Sequence, residues 1–290
     1  MDGPIDPALH EHYARGEERD RLTEARGMLE FERTTEIVLR QLPAPPSVVA
    51  DIGGGPGRYA PWLAERGHRV EHRDLMPLHV DQLCAVADPS RITTAVGDAR
   101  DLDLDNSVAD AVLLLGPIYH LRRRDQRLRA LREAWRVVRP GGPVFVAAIS
   151  RWAPRLDGEL RLQLYKSLPT TREQVPLVER TGWMPPLFPG SLSAYCHRPQ
   201  QLRAELSGAG FRVLDWSPWR AWVSCCTTWA SGWPILWTGS WSWTPPAPPS
   251  GSQSFSGSGR ICLRQPSVRS ADPPHVGRAS EHSETHGIGL

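Results

Sequence analysis

The chain has 290 residues, and its 34 Lys and Arg nearly balance 32 Asp and Glu. A formal net charge of +2 carries no electrostatic signature of nucleic-acid or anionic-membrane binding. That length buries a core without help from disulfides. The five cysteines are odd in number and form no C-x-x-C pair, which argues against a disulfide framework and a structural zinc site alike. Residues 1–20 contain no apolar stretch, so neither a signal peptide nor a membrane anchor is read there. The expected setting is the cytoplasm and the expected partner a small molecule, with no nucleic acid, no membrane and no metal.

Residues 8–42 carry a helical pattern in which Met28, Phe31, Ile37, Val38 and Leu42 tend to one face. The segment Pro43-Ala44-Pro45-Pro46 ends it, so residues 1–43 read as an N-terminal helical unit. From 44 to 150, strands expected at 48–52, 69–73, 92–96, 109–115 and 143–149 alternate with helices expected at 58–66, 77–87 and 122–139. Leu128, Leu131, Trp135 and Val138 recur at helical spacing in the last helix, and Pro140-Gly141-Gly142 stops it. Strands too apolar to have a wet face, alternating with helices, predict an α/β fold with a doubly wound, mostly parallel sheet.

Residues 151–216 read as a cap over the sheet edge, followed by a helix near 199–207 and a sixth strand at 211–216. Beyond that the composition changes. Eight of the twelve tryptophans fall between Trp216 and Trp243, and Asp272, Glu281 and Glu284 are the only acidic residues after 216. Residues 217–290 therefore read as a low-complexity, disordered tail. We read the abrupt change as a shifted reading frame or an altered gene end, which the other two frames of the coding DNA would reveal. The closing C-terminal hairpin of the sheet is expected to be incomplete.

The stretch VVADIGGGPGRYA, residues 48–60, runs a buried strand into a glycine turn that opens a helix. Backbone N–H groups at such a turn face a ligand, and the missing Cβ atoms let it approach. Gly53, Gly55 and Gly57 make G-x-G-x-G, whereas a dinucleotide fingerprint would place its third glycine at 58, where the chain has Arg58. Acidic residues recur where the strands end: Asp51, Asp74 and Asp98. Three carboxylates along one rim repel a phosphate-rich cofactor and suit a cationic one. Each also has a local reading, Asp51 as a helix cap, Asp74 as a turn residue and Asp98 as an Asx-turn.

These segments, together with RVEHRDLMPLHV, TTAVGDARDL, ADAVLLLGPIYHL and LREAWRVVRPGGPVFVAAIS, resemble the ordered motifs of class I S-adenosylmethionine-dependent methyltransferases. HYARGEERDRLTEARGMLEFERT resembles the N-terminal helix that closes over the cofactor in a bacterial small-molecule branch, and the likeness covers roughly residues 11–216. The resemblance implies S-adenosyl-L-methionine as cofactor. Gly53, Gly55 and Gly57 would admit it, Asp51 would support the loop and the cofactor's amino group, and Asp74, followed by Leu75, would accept from the ribose hydroxyls. Asp98 and the N–H of Ala99 would hold adenine, and Leu115 and Gly116 would present backbone near the sulfonium. Arg33 would pair with the cofactor's carboxylate, unless it is a solvated helix arginine, and Tyr13 and Arg21 are further lid candidates.

The implied reaction is in-line displacement of the methyl group by a small-molecule acceptor. Orienting two bound reactants lowers a barrier by on the order of 7 to 11 kcal/mol, more than the roughly 3 to 5 kcal/mol that a general base supplies. His120 is the candidate base and Tyr119 a candidate wall of the methyl pocket. A histidine that caps the helix of 122–139 is the alternative. Tyr195 and His197 are candidates to face the acceptor from the cap. Two other readings stand beside methyl transfer: a catalytically inactive cofactor-binding module, and an NAD(P)-dependent oxidoreductase.

Overall fold

The computed structural model describes residues 7–16, 18, 25–186, 192–218 and 259–264. Two helices open the chain, α1 (Pro7–Tyr13) and α2 (Ala25–Leu39). The alternating core then runs β1 (Val48–Ile52), α3 (Tyr59–Glu65), β2 (Arg69–Asp74), α4 (Pro77–Cys84), β3 (Ile92–Val96), β4 (Ala111–Leu114), α5 (Pro117–His120), α6 (Arg124–Val137) and β5 (Pro143–Ser150). β1 to β5 are all parallel, in the order β3-β2-β1-β4-β5. That order reverses between β1 and β4, which opens a crevice at the strands' C-terminal ends, where open α/β sheets bind ligands.

The strand sequences explain why both faces are covered. Val49, Ala111, Leu113 and Phe145 project to one side, where α3 and α4 supply Leu63 and Leu83. Ala50, Ile52, Val112, Leu114, Val144 and Val146 project to the other, against Leu131 of α6. Side chains alternate with a period of two, so a strand apolar at every position needs helices on both faces. Each fully buried aliphatic side chain contributes about 1.5–3 kcal/mol. The helical pattern of residues 8–42 holds in both described helices, though Met28, expected on the apolar face, is 52% exposed while Ile37 and Val38 are buried.

The cap contains more regular structure than its prolines suggest. A π-helical stretch (Pro154–Arg161) is followed by α7 (Leu164–Ser167), α8 (Thr171–Thr181), β6 (Trp183–Met184) and β7 (Ala194–His197). β7 pairs parallel with the end of β5, Ile149 to Cys196, and β6 pairs antiparallel with β7. α9 (Pro199–Gly208) packs Leu202 and Leu206 beside Leu131, and β8 (Arg212–Pro218) follows.

The end of the sheet is split. β9 (Gly259–Arg264) lies antiparallel between β5, Phe145 opposite Cys262, and β8, Trp216 opposite Ile261. Its six residues belong to the stretch that composition reads as disordered. A strand can be recruited there because backbone hydrogen bonds to β5 and β8 ask little of its side chains. Residues 219–258, which link β8 to β9 in the sequence and hold most of the tryptophan cluster, lie outside the described residues. No helix among the described residues is long and apolar enough to cross a membrane.

Candidate active site

A cavity of about 530 Å³ opens at the C-terminal ends of the parallel strands. Its floor is the glycine turn after β1. Gly53 and Gly55 have φ of +64° and +61°, a region that side-chain-bearing residues avoid. A Cβ on Gly53 would lie 2.5 Å from the Pro117 ring, so this glycine lets the turn pass under α5. Gly55 is different, because a Cβ there would meet nothing nearer than 3.9 Å. Its bare backbone is exposed to the cavity rather than pressed into protein.

Gly54, which the G-x-G-x-G pattern passes over, is as tightly enclosed as Gly53. A Cβ there would lie 2.5 Å from Asp51 Oδ2 and 2.7 Å from His72 Cδ2. Gly57, expected against the cofactor, instead faces Leu83 of α4, where a Cβ would sit 2.5 Å from a methyl carbon, and it does not line the cavity. Its role is close packing of the turn against α4. A glycine period in sequence cannot distinguish a residue bare for a ligand from one bare for a neighbouring helix.

Asp51, Asp74 and Asp98 all line the cavity, as do Leu75, Ala99, Leu115 and Gly116. Asp51 is 1% exposed, and its Oδ2 has no hydrogen-bond partner among the described residues. Burial, with the Asp74 charge adding to it, pushes its carboxyl up to about 7. Asp74 Oδ2 accepts from the Gly55 N–H at 2.8 Å, and Oδ1 accepts from the Met76 N–H and from His79 Nδ1, both at 2.9 Å. Burial works against its charge, but these donors prevail and hold it below the usual carboxylate range. Asp74 is thus more than a turn residue, because it fastens the glycine turn to the end of β2.

Asp98 likewise resists its burial and stays low, through a two-pronged contact with the Arg100 guanidinium, Nε at 3.0 Å from each oxygen. Oδ1 also accepts from the Arg100 N–H at 2.9 Å, so the Asx-turn is present as well. None of the three carboxylates caps α3, whose N-terminal flanking residue is Arg58.

His72 was not anticipated. It is fully buried in β2, with Nε2 3.1 Å from the Gly55 carbonyl and Nδ1 2.8 Å from Thr94 Oγ1. Burial pushes it down to about 4, so it is neutral, and the Gly55 carbonyl, which can only accept, fixes the proton on Nε2. A histidine at a core-facing position of a buried strand was the available signal.

The lid closes over the other side. Tyr13 of α1 reaches His120 at the end of α5, its hydroxyl 3.0 Å from Nε2, and its ring meets those of His79 and His120 edge-on. Both Tyr13 and His120 line the cavity, as does Tyr119. His120 does not cap the following helix: α6 begins at Arg124, flanked by Arg123 with no side-chain cap. Arg33 does not reach the site. It pairs with Glu36 one helical turn along α2, the solvated-helix arrangement, whereas Arg58 does line the cavity, lying over the Phe31 ring at 4.4 Å. Arg21 lies outside the described residues.

Tyr195 and His197, expected to face an acceptor, are buried behind the site instead. His197 Nε2 is 3.3 Å from Glu205 Oε2, and Tyr195 is covered by the Arg127 guanidinium at 3.6 Å from its ring centroid. Arg127 and Glu205 form a two-pronged ion pair at 2.9 and 2.7 Å, 1% and 0% exposed. β7 extends the sheet beside the end of β5 rather than folding over the rim, and neither residue lines the cavity.

Residues 49–142 match a family described as a methyltransferase domain. An uncharacterised methyltransferase of Mycobacterium tuberculosis H37Rv is 35% identical over 101 residues, 35% of this chain and 39% of that protein. A ubiquinone/menaquinone biosynthesis C-methyltransferase of Caulobacter vibrioides is 29% identical over 126 residues, 40% of this chain and 49% of that one. The chain therefore spans less than half the length of these relatives. Among solved structures, an S-adenosylmethionine-dependent methyltransferase of Methanosarcina mazei superposes with a TM-score of 0.55 at 16% identity, covering 80% of this chain and 97% of the other. A Burkholderia thailandensis 1,6-didemethyltoxoflavin-N1-methyltransferase, solved with its acceptor and S-adenosylhomocysteine, superposes at 0.54 and 16% identity, covering 92% and 93%. Residues 49–142 thus match a methyltransferase domain, and the sheet order with the crevice at its reversal point gives the chain the Rossmann-like fold of class I methyltransferases.

Proposed function

We propose that this chain transfers a methyl group from S-adenosyl-L-methionine to a small-molecule acceptor. The observation that carries the reading is the rim: Asp51, Asp74 and Asp98 beside a glycine turn whose backbone at Gly55 is open to the cavity. The donor set fits a cationic sulfur nucleoside. The buried Asp51 Oδ2 has no partner among the described residues, and the negative charge of Asp74 is fixed by three donors. A pyrophosphate would face these same carboxylates, which disfavours a nicotinamide dinucleotide.

When bound, the cofactor supplies a sulfonium-borne methyl group open to in-line displacement by an acceptor's lone pair. Asp51 stabilises positive charge beside the turn, while Asp74 would accept from the ribose and Asp98 with the Ala99 N–H would hold the base. Arg58, which lines the cavity where Arg33 does not, would meet the cofactor's carboxylate. Tyr13 and Tyr119 exclude water from the acceptor end. His120, whose ring Tyr13 fixes through a contact of 3.0 Å to Nε2, would take the acceptor's proton. A cytoplasmic setting accompanies this reading, supported by the free thiols of Cys84 and Cys196.

Conversion of S-adenosylmethionine to S-adenosylhomocysteine in the presence of a panel of small acceptors tests the proposal. Turnover that depends on one acceptor class supports it. Cofactor binding without turnover on any acceptor would favour an inactive binding module, and saturable binding of a nicotinamide dinucleotide in its place would refute the assignment.

A further inference from the structure

Arginines line both halves of the cavity, Arg58 and Arg100 on the carboxylate side and Arg122 and Arg123 on the other. The three carboxylates stand at the ends of β1 and β2 and after β3, on one half of the sheet. The other half of the cavity is lined by Arg122 and Arg123, in the loop between α5 and α6, and by Trp183 of β6. Arg123 is neutralised by Asp125, with two contacts of 3.0 Å. Arg122 has no carboxylate at ion-pair distance among the described residues, and its guanidinium lies 4.6 Å from the centroid of the Trp183 ring. A guanidinium stacked on an indole keeps its N–H edge available for a planar anion.

This arginine stands on a rigid support. Nη1 of the buried Arg127 donates to the carbonyls of Leu121 and Arg122 at 3.0 and 2.7 Å. The same guanidinium is locked by Glu205. Strong burial of such a pair is costly unless every donor is used, and here the spare donors hold the loop that carries Arg122.

We propose that the acceptor is an aromatic monoanion: a ring compound bearing one carboxylate, bound by the N–H edge of Arg122 with its ring between Tyr119 and Trp183. One uncompensated cation on this half of the cavity matches one negative charge, which favours a carboxylate over a phosphate dianion. This deepens the methyl-transfer reading and relies on it for the identity of the ligand at the opposite end.

The test uses the full chain saturated with S-adenosylhomocysteine and titrated with 4-hydroxybenzoate, methyl 4-hydroxybenzoate and phenyl phosphate. The acid is expected to bind at least tenfold tighter than its ester and tighter than the phosphate. Arg122→Gln brings acid and ester within about twofold of each other while leaving S-adenosylhomocysteine affinity unchanged, and Arg122→Lys restores only part of the preference. Equal binding of acid and ester, no binding of either, tighter binding of the phosphate, or a preference that survives Arg122→Gln overturns the proposal. Loss of S-adenosylhomocysteine affinity in Arg122→Gln also overturns it, since the arginine would then serve the cofactor. If the parent never binds S-adenosylhomocysteine, the methyl-transfer reading fails instead, and the acid-versus-ester comparison on the ligand-free chain decides the anion site by the same criteria.

Discussion

Asp51 concentrates the tension between stability and function, and Asp51→Asn separates the two. Burial and the neighbouring Asp74 push the folded carboxyl up to about 7, against 3.8 as its ordinary value. The unfolded chain therefore releases this proton near pH 4, while the folded chain keeps it to neutrality. The stabilising contribution is fully present below about pH 4 and is lost as pH rises to 7. A gap of about three units at about 1.4 kcal/mol each makes the free protein about 4 kcal/mol less stable at pH 8 than it would be with a neutral residue. Asparagine removes that cost. It also places an amide group where Oδ2 has no partner, which costs about 1–3 kcal/mol. The free Asp51→Asn protein should thus be about 1–3 kcal/mol more stable than the parent at pH 8 and less stable at pH 4. Urea denaturation of both proteins at the two pH values measures the difference. The same variant should lose S-adenosylmethionine affinity, and parent affinity should fall about tenfold from pH 8 to pH 6 as the carboxylate is protonated. A parent–variant difference that does not change between pH 4 and pH 8 would refute the reasoning.

The remaining expectations concern the turn, the support and the lid. Gly54→Ala should cost about 1–3 kcal/mol in denaturant and abolish cofactor binding, because neither Asp51 nor His72 can retreat from the new Cβ; unchanged stability would show that the turn is slack. Glu205→Gln leaves the buried Arg127 charge uncompensated and should lower stability by about 3–5 kcal/mol, read by chemical denaturation. His120→Ala should slow turnover by 10²–10⁴-fold at saturating acceptor, and Tyr13→Phe should shift the pH profile of turnover while keeping the parent's profile shape. Full turnover in His120→Ala would remove that residue from the mechanism.

The architecture was legible wherever one physical signal dominated. Doubly apolar strands such as Val48–Ile52 and Ala111–Leu114 can only be buried on both faces, and Pro140-Gly141-Gly142 stops a helix whatever its tertiary setting. The short strands Trp183–Met184 and Ala194–His197 carry no comparable pattern, since they owe their pairing to the end of β5 rather than to local periodicity. The three rim carboxylates were legible because strand ends fix their position. Direction was harder: Gly57 and Arg33 look like binding residues by motif, yet Gly57 packs on Leu83 and Arg33 finds Glu36 within its own helix. Gly54 leaves room for Asp51 and for His72 of the neighbouring strand, and His72 holds Gly55, arrangements that exist only after β1 and β2 have met, while His79 holds Asp74.

The most direct measurement is a calorimetric titration of S-adenosylmethionine into the full chain, alongside Asp74→Ala. The account predicts saturable one-to-one binding by the parent and none by the variant, which loses both a carboxylate and the anchor of the glycine turn. A folded parent that gives no binding heat, or a variant that binds as the parent does, would contradict it.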